Sequence, residues 1–304
     1  MQAITDGEAG LKLASCLMAL AFSLGVLSAQ EVPNEGTRAV QTPGNAAWAA
    51  DPEEARSRAV SENKLVFVEF EGGEECGNCQ RMKTLLYPAF DFEALLIGMV
   101  PVRVDLESAA AHELRDRYGV SEAPAILILS PEGRIVFRME GFLNAPDFYR
   151  QVHKDLDAYR KFARMVEAQD VPRLPAAEAL STGKALYERS DPGAALPRLS
   201  RAISHPKATA AQRDDAREVL AAVELELGRP AAARQTINRL IATTKSSERR
   251  ERAELFRAQI PLAENKPAEA LALFRKFVRD HPKSPHLPQV QELVEKLQLA
   301  VGKP

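Results

Sequence analysis

The stretch Gly72–Met82 reads GGEECGNCQRM and contains two cysteines, Cys76 and Cys79, separated by two residues. Three uses are open for such a pair: reversible redox chemistry, half of a metal site, or a structural cross-link. A cross-link over so short a loop adds little stability, because the entropic gain grows with loop length. Redox chemistry and metal binding therefore remain to be compared.

Metal binding lacks suitable ligands in this sequence. A tetrahedral zinc site needs four ligands, and none of the histidines stands at a paired spacing with the two cysteines. Covalent haem attachment requires a histidine directly after Cys79, and Gln80 occupies that position. We expect neither a metal nor a cofactor, and we expect surface positions for the five histidines, which are His112, His153, His205, His281 and His286.

The N-terminus has the pattern of an export signal. Lys12 precedes the apolar run 13–27, which is followed by the small residues Ser28 and Ala29. This pattern predicts a signal peptide over residues 1–29 and a periplasmic or other extracytoplasmic location. The alternative is an uncleaved run 13–27 that anchors the protein in a membrane. Cleavage removes Cys16, so that Cys76 and Cys79 have only each other as partners in an oxidising compartment.

Composition limits the classes of partner. The chain has 304 residues, of which 45% are hydrophobic and 27% charged, and this length predicts two domains. The 40 basic and 42 acidic residues leave a net charge of -2 without a long basic block. Nucleic acid is therefore not expected as a partner, whereas proteins and small thiols are.

Secondary structure is predicted from apolar patterns and turn residues. Residues 30–46 have the composition of a flexible leader, and order is expected from about Trp48. Helix and strand patterns then alternate. The predicted elements are a helix at 51–63, a strand at 65–70, a helix at 80–86, a strand at 100–105, a helix at 109–118, a strand hairpin at 125–129 and 134–139, and a helix at 146–165. This order places Cys76 at the start of a helix, where the helix dipole favours a thiolate.

These features resemble the thioredoxin superfamily. The resemblance rests on Cys76-Gly77-Asn78-Cys79 after an apolar strand, on Tyr118–Pro124 (YGVSEAP) before the next central strand, and on Gly141 after the hairpin. The segment KLVFVEF at 64–70 is most similar to exported domains of the thiol-disulfide interchange group. The resemblance implies an α/β thioredoxin-like fold over residues 47–160, with a central mixed sheet flanked by helices.

The resemblance also implies roles for individual residues. Cys76 is then the nucleophile, Cys79 resolves the mixed disulfide, and Pro124 follows a cis peptide bond. The residues that are implied to line the substrate groove are Gly77, Asn78, Ala123 and Pro124. The expected substrates are protein thiols and disulfides, and a separate redox partner must recharge the pair.

Three acidic residues near the cysteines have open roles. Related domains often carry a buried acid that shuttles the proton of the resolving thiol, and Glu69 is the candidate here. The alternative is a Glu69 that points to solvent from a strand edge. The charges of Glu74 and Glu75 oppose the helix dipole at Cys76, which predicts a moderate nucleophile with a reducing or isomerising role.

The remaining sequence is helical and repetitive. Pro192, Pro230 and Pro267 recur at intervals of 38 and 37 residues, each followed by alanines and by apolar positions at helical spacing. Residues 176–304 resemble about three tetratricopeptide repeats after a linker or helix extension at 161–175. Such repeats bind peptides or proteins. The alternative is that they only support the first domain or mediate oligomerisation.

Two function classes follow from these predictions. The first is an exported thiol–disulfide oxidoreductase whose repeats recruit a substrate or partner. The second is a non-enzymatic envelope scaffold in which the thioredoxin-like domain serves as a docking module. The complete cysteine pair and Pro124 favour the first class, because a docking module has no need of them.

Overall fold

The computed structural model describes residues 47–88 and 90–302. The described chain divides into two compact units, the first comprising 47–169 with 189–191 and the second 170–188 with 192–302. The predicted signal peptide, leader and alternative membrane anchor, together with Cys16, lie outside the described residues. None of the described helices is both long enough and apolar enough to cross a membrane.

The first unit alternates helices and strands. Its helices are α1 (Pro52–Glu62), α2 (Gly77–Arg81), α3 (Phe90–Leu96), α4 (Ala109–Tyr118) and α5 (Ala145–Glu167), and a π-helical turn, Met82–Leu86, continues α2. Its strands are β1 (Leu65–Glu71), β2 (Met99–Asp105), β3 (Ala125–Leu129) and β4 (Ile135–Glu140). These elements confirm the predicted α/β class.

Local sequence explains where several of these helices begin. The Asp51 side chain accepts a hydrogen bond from the Glu54 N–H at 2.8 Å, and Pro52 follows it at the first helical position. Ser108 and Asn144 cap α4 and α5 in the same way. Each such cap contributes about 1 kcal/mol, because it satisfies an N–H group that the helix leaves unpaired.

The four strands form one mixed sheet in the order β2-β1-β3-β4. β1 is parallel to β2 and antiparallel to β3, and β3 is antiparallel to β4. The register places Glu69 of β1 opposite Arg103 of β2 and Ile126 of β3. This central position of β1 brings the segment that follows it, including both cysteines, to one end of the sheet.

A separate apolar core covers each face of the sheet. Phe67 of β1 packs in the core that includes the π-helical turn, α3 and α5, whereas Val66, Val68 and Phe70 pack with α1 and α4. This alternation is the two-residue period of a strand that is covered on both faces. Burial of each such side chain contributes roughly 1.5 to 3 kcal/mol.

The second unit is all-helical within its described residues. Its helices are α6 (Ala176–Glu188), α7 (Pro192–Ser204), α8 (Ala210–Glu226), α9 (Pro230–Thr243), α10 (Ser247–Ala263), α11 (Pro267–Asp280) and α12 (Leu287–Val301), preceded by a 3-10 turn, Val171–Arg173. Consecutive helices pack against each other along the chain. This arrangement confirms the predicted all-α class for the second half of the protein.

The recurring prolines mark the start of every second helix. Pro192, Pro230 and Pro267 are the first residues of α7, α9 and α11, as the sequence pattern predicted. The alanine three residues after each proline is completely buried. A comparable small residue is Gly183 of α6, where an added Cβ would lie 2.8 Å from Leu199 Cγ in α7. Small side chains at these positions allow neighbouring helices to approach closely.

Candidate active site

Cys76 and Cys79 form a disulfide at the start of α2, with 5.2 Å between their Cα atoms. Cys76 is the N-cap of this helix, and its Sγ accepts a hydrogen bond from the Cys79 N–H at 3.2 Å. Cys79 is only 3% exposed, whereas Cys76 is half-buried. The first cysteine is therefore the one that an external disulfide or thiol can reach.

Gly72, directly after β1, holds the chain close to the disulfide. Its N–H donates to Cys79 Sγ at 3.4 Å. A Cβ added to Gly72 would lie 3.0 Å from the Cβ of Cys76 and 3.2 Å from the Cβ of Ala123. Gly72 thus packs between the cysteine and the loop that carries Pro124. Gly72 has no predicted role from sequence, although a glycine directly after a strand indicates a close approach of the backbone.

We expect Gly72→Ala to lower the turnover of a protein disulfide about tenfold, because the added methyl group must displace Cys76 or Ala123. Gly73→Ala is the matched control, since a Cβ on Gly73 meets no atom within 4 Å. The measurement is the rate of insulin reduction by each full-length variant. Equal rates for the two variants would contradict a positioning role for Gly72.

The predicted groove residues lie around the same site. The Ala123–Pro124 peptide bond is cis, and the Gly141 N–H donates to Pro124 O at 2.8 Å. The Cβ atom of Ala123 lies close to Gly72, on which the Cβ atom of Cys76 also packs. Gly77 and Asn78 are exposed in α2, so the structure presents both residues to solvent beside the disulfide. Their part in substrate binding stays a prediction.

Glu69 lies in the interior rather than at a solvent-facing strand edge. It is 2% exposed, which excludes the solvent-facing alternative. One carboxylate oxygen accepts a hydrogen bond from the Tyr87 hydroxyl, and the other accepts from Arg103 Nε at 2.9 Å. Within residues 47–88 and 90–302, no hydrogen bond or ion pair joins Glu69 to either cysteine. Its role as a proton shuttle therefore stays a prediction.

The surroundings of Glu69 have opposing effects on its charge. Burial raises the pKa of Glu69, and the neighbouring Arg103 guanidinium opposes this effect. Burial also raises the pKa of Tyr87, and the adjacent Glu69 charge raises it further. The Arg103 guanidinium in turn stacks on the Trp48 ring at 4.6 Å from the ring centroid. Arg103 could not be predicted as a partner of Glu69, because only the strand register places the two residues opposite each other.

The histidines have no common site with the cysteines. His112 and His153 are exposed, as expected, whereas His205, His281 and His286 are half-buried, and His281 Nε2 lies 2.7 Å from Glu254 Oε2. The expectation of a surface position is therefore wrong for His281, because its ring packs against Phe277. In the part of the chain that the structure describes, no three metal-binding side chains cluster.

Comparison with known proteins identifies the first unit. Residues 52–156 match the family model of the thioredoxin-like domain. No curated protein matches the chain.

Three solved structures are similar to part of this chain. A thioredoxin from Thermus thermophilus is 26% identical, with 36% of this chain and 85% of that chain covered and a TM-score of 0.33. A DsbH oxidoreductase is 19% identical, with coverage of 42% and 95% and a TM-score of 0.34. A putative disulphide-isomerase from Bacteroides thetaiotaomicron is 29% identical, with coverage of 38% and 96% and a TM-score of 0.34.

The family match and the site geometry define the class of protein. The first unit is a thioredoxin-like domain, and it carries a Cys-x-x-Cys disulfide at a helix start beside a cis-proline loop. This is the site of a thiol–disulfide oxidoreductase, whose general substrates are protein thiols and disulfides.

Proposed function

We propose that the protein is an exported thiol–disulfide oxidoreductase that exchanges disulfides with protein substrates. The observation that carries this proposal is the Cys76–Cys79 disulfide, with Cys76 accessible near the Ala123–Pro124 loop and Cys79 buried. A buried second thiol is protected from solution oxidants and is held within reach of the first. This arrangement favours resolution within the protein over release of a half-reacted substrate.

In the reducing direction the exchange has two balanced steps. The Cys76 thiolate attacks a substrate disulfide, so that a Cys76–substrate disulfide forms and one substrate thiolate leaves. The Cys79 thiolate then attacks Cys76 Sγ, which forms the intramolecular disulfide and releases the second substrate thiolate. Two electrons have passed from the protein to the substrate, and an external dithiol or redox protein must return them.

The second unit is proposed to recruit a substrate or partner as a tetratricopeptide-like array. Support comes from the helix pairs that begin at regularly spaced prolines. Charged side chains also bridge α8 and α10: Arg252 Nε lies 2.9 Å from Glu218 Oε1, and Arg249 pairs with Asp215. Stacked helix pairs of this type present extended surfaces for peptides.

Export is proposed from the sequence alone. The apolar run 13–27 with small residues at 28 and 29 is the support, and an uncleaved run would instead anchor the same domain to the membrane. Either form places Cys76 and Cys79 outside the cytoplasm, where an intramolecular disulfide persists between rounds of exchange. A redox partner in that compartment then sets the direction of electron flow.

The proposed activity is tested by insulin reduction with dithiothreitol as the electron source. We expect the wild type to accelerate precipitation of the insulin B chain, and the double variant Cys76→Ser/Cys79→Ser to be inactive. A wild-type rate equal to that of the double variant would refute the enzyme and favour the scaffold function. Far-UV circular dichroism of both proteins establishes that the comparison is made between folded chains.

A further inference from the structure

Two side chains of β4 hold the backbone of the loop that precedes Pro124. The Arg138 guanidinium donates from Nη1 to Tyr118 O at 2.6 Å and from Nη2 to Gly119 O at 2.5 Å. These are the last residues before the loop, at the end of α4. Arg138 thus fixes the point at which the loop leaves the helix.

Glu140 holds the next part of the same loop. Its Oε2 accepts hydrogen bonds from the Ser121 N–H at 3.0 Å, from Ser121 Oγ at 2.6 Å and from the Glu122 N–H at 3.3 Å. Its Oε1 accepts from Arg138 Nε at 3.1 Å. The two side chains, which we call the Arg138–Glu140 clamp, therefore bind four backbone groups and one another.

The loop held by the clamp ends at the reactive disulfide. Ala123 follows Glu122 directly and packs at Gly72 beside Cys76. The N–H and C=O of Ala123 have no hydrogen-bond partner among the described residues. An extended substrate segment can pair with such free backbone groups as an added strand does. The position of these groups relative to Cys76 depends on the conformation of residues 119–122.

The Glu140 side chain of the clamp is a carboxylate at neutral pH. Burial raises the pKa of Glu140, but hydrogen bonds from Ser121 and Arg138 outweigh this effect, so the pKa lies below its usual value. A carboxylate that accepts several N–H and O–H groups binds them more strongly than a neutral acceptor does. The Glu140 carboxyl is thus in its strongly bonding, ionised form at neutral pH.

We propose that Arg138 and Glu140 are positioning residues that preorganise the Ala123 backbone for binding of a substrate polypeptide. This inference rests on the proposed function, because it concerns how the same site binds its substrate. The clamp orders the loop before the substrate arrives, so that binding does not have to supply the ordering entropy. A small disulfide that reaches Cys76 without pairing to Ala123 gains nothing from the clamp.

Kinetics with two disulfides of different size test the clamp. We expect Glu140→Ala to raise the KM for insulin about tenfold with less than a twofold change in kcat. The rate constant of the pre-reduced variant with 5,5′-dithiobis(2-nitrobenzoic acid), a small disulfide, should stay within about twofold of wild type. Arg138→Lys, which keeps the charge but cannot donate to two carbonyls in a fork, should shift the insulin KM in the same direction.

Matched controls use exposed ion pairs of the same unit. Glu53→Ala and Arg150→Lys remove or alter side chains that are 81% and 73% exposed, and neither should change the insulin KM. An unchanged KM in Glu140→Ala and Arg138→Lys would overturn the clamp, as would a parallel loss of both activities. A wild type that is inactive towards both disulfides would instead refute the proposed function itself. Thermal unfolding identifies any variant that has lost its fold. If Glu140→Ala or Arg138→Lys does not fold, the insulin KM of the other variant tests the clamp.

Discussion

Replacing Cys76 by serine is expected to lower insulin reduction by roughly a hundredfold or more, to the uncatalysed background. The reason is that Cys76 is the accessible sulfur, whereas Cys79 is 3% exposed and cannot meet a protein disulfide without local opening. A serine hydroxyl does not ionise at neutral pH and forms no disulfide. The measurement is the initial rate of insulin precipitation at equal protein concentrations.

Cys79→Ser is expected to lose insulin reduction at a later step than Cys76→Ser does. The Cys76 thiolate still attacks the substrate, but no internal thiol releases the mixed disulfide. A covalent adduct with the substrate should therefore accumulate on non-reducing gels and disappear on addition of dithiothreitol. Cys76→Ser is the control and should form no adduct. An adduct that formed through Cys79 in the absence of Cys76 would reverse the two assigned roles.

The second large effect is a loss of folding stability, which we expect when Arg103, the partner of the buried Glu69, is replaced. Arg103→Met keeps much of the apolar stem but leaves the Glu69 carboxylate buried without its ion pair. We expect a loss of about 3 to 5 kcal/mol in the free energy of unfolding at neutral pH, the usual cost of breaking a buried pair. Arg103 also lies 3.4 Å from Glu71, which retains Lys83 as a second partner at 2.8 Å. Most of the loss should therefore come from Glu69.

The pH dependence of the stability of Arg103→Met distinguishes an unpaired Glu69 charge from a loss of packing. Burial already raises the pKa of Glu69, and removal of Arg103 raises it further. The folded variant then binds a proton more tightly than its unfolded chain does, so its stability increases relative to wild type as the pH falls through the raised pKa. Urea unfolding near neutral pH and near pH 5 should show a smaller deficit at the lower pH.

Two further variants complete the test of the buried pair. Arg150→Met removes an exposed arginine and should change stability by less than about 0.5 kcal/mol. Glu69→Gln/Arg103→Met removes both charges and should recover most of the lost stability, because no uncompensated charge stays buried. A deficit that is independent of pH and persists in the double variant would assign the effect of Arg103 to packing instead.

The sequence predicted those elements of the first unit that carry strong local signals, whereas α3 (Phe90–Leu96) was not predicted. Asp51-Pro52 marks a helix start by its capping chemistry, and the near-continuous apolar run at 65–70 is typical of a strand that is covered on both faces. The prolines of the second unit predicted helix starts for the same reason. Both domain classes could therefore be recognised without knowledge of any tertiary contact.

The tertiary partners in the site could not be predicted from local sequence. Arg103 meets Glu69 only because β1 and β2 are parallel in one particular register. Arg138 and Glu140 bind a loop that precedes their own strand, which a pattern of alternating residues does not reveal. Glu74 and Glu75 are exposed in the structure, and their effect on the reactivity of Cys76 stays a prediction.

Trp48, whose ring stacks on Arg103, makes the first unit spectroscopically distinct. Trp48 is the only tryptophan in the sequence, and its ring also lies edge-on to Phe67 with 6.4 Å between ring centroids. Intrinsic indole fluorescence therefore reports on the thioredoxin-like unit alone, whereas far-UV ellipticity is dominated by the helices of the second unit. The two optical signals allow the melting of each unit to be followed separately in the intact protein, without an added label.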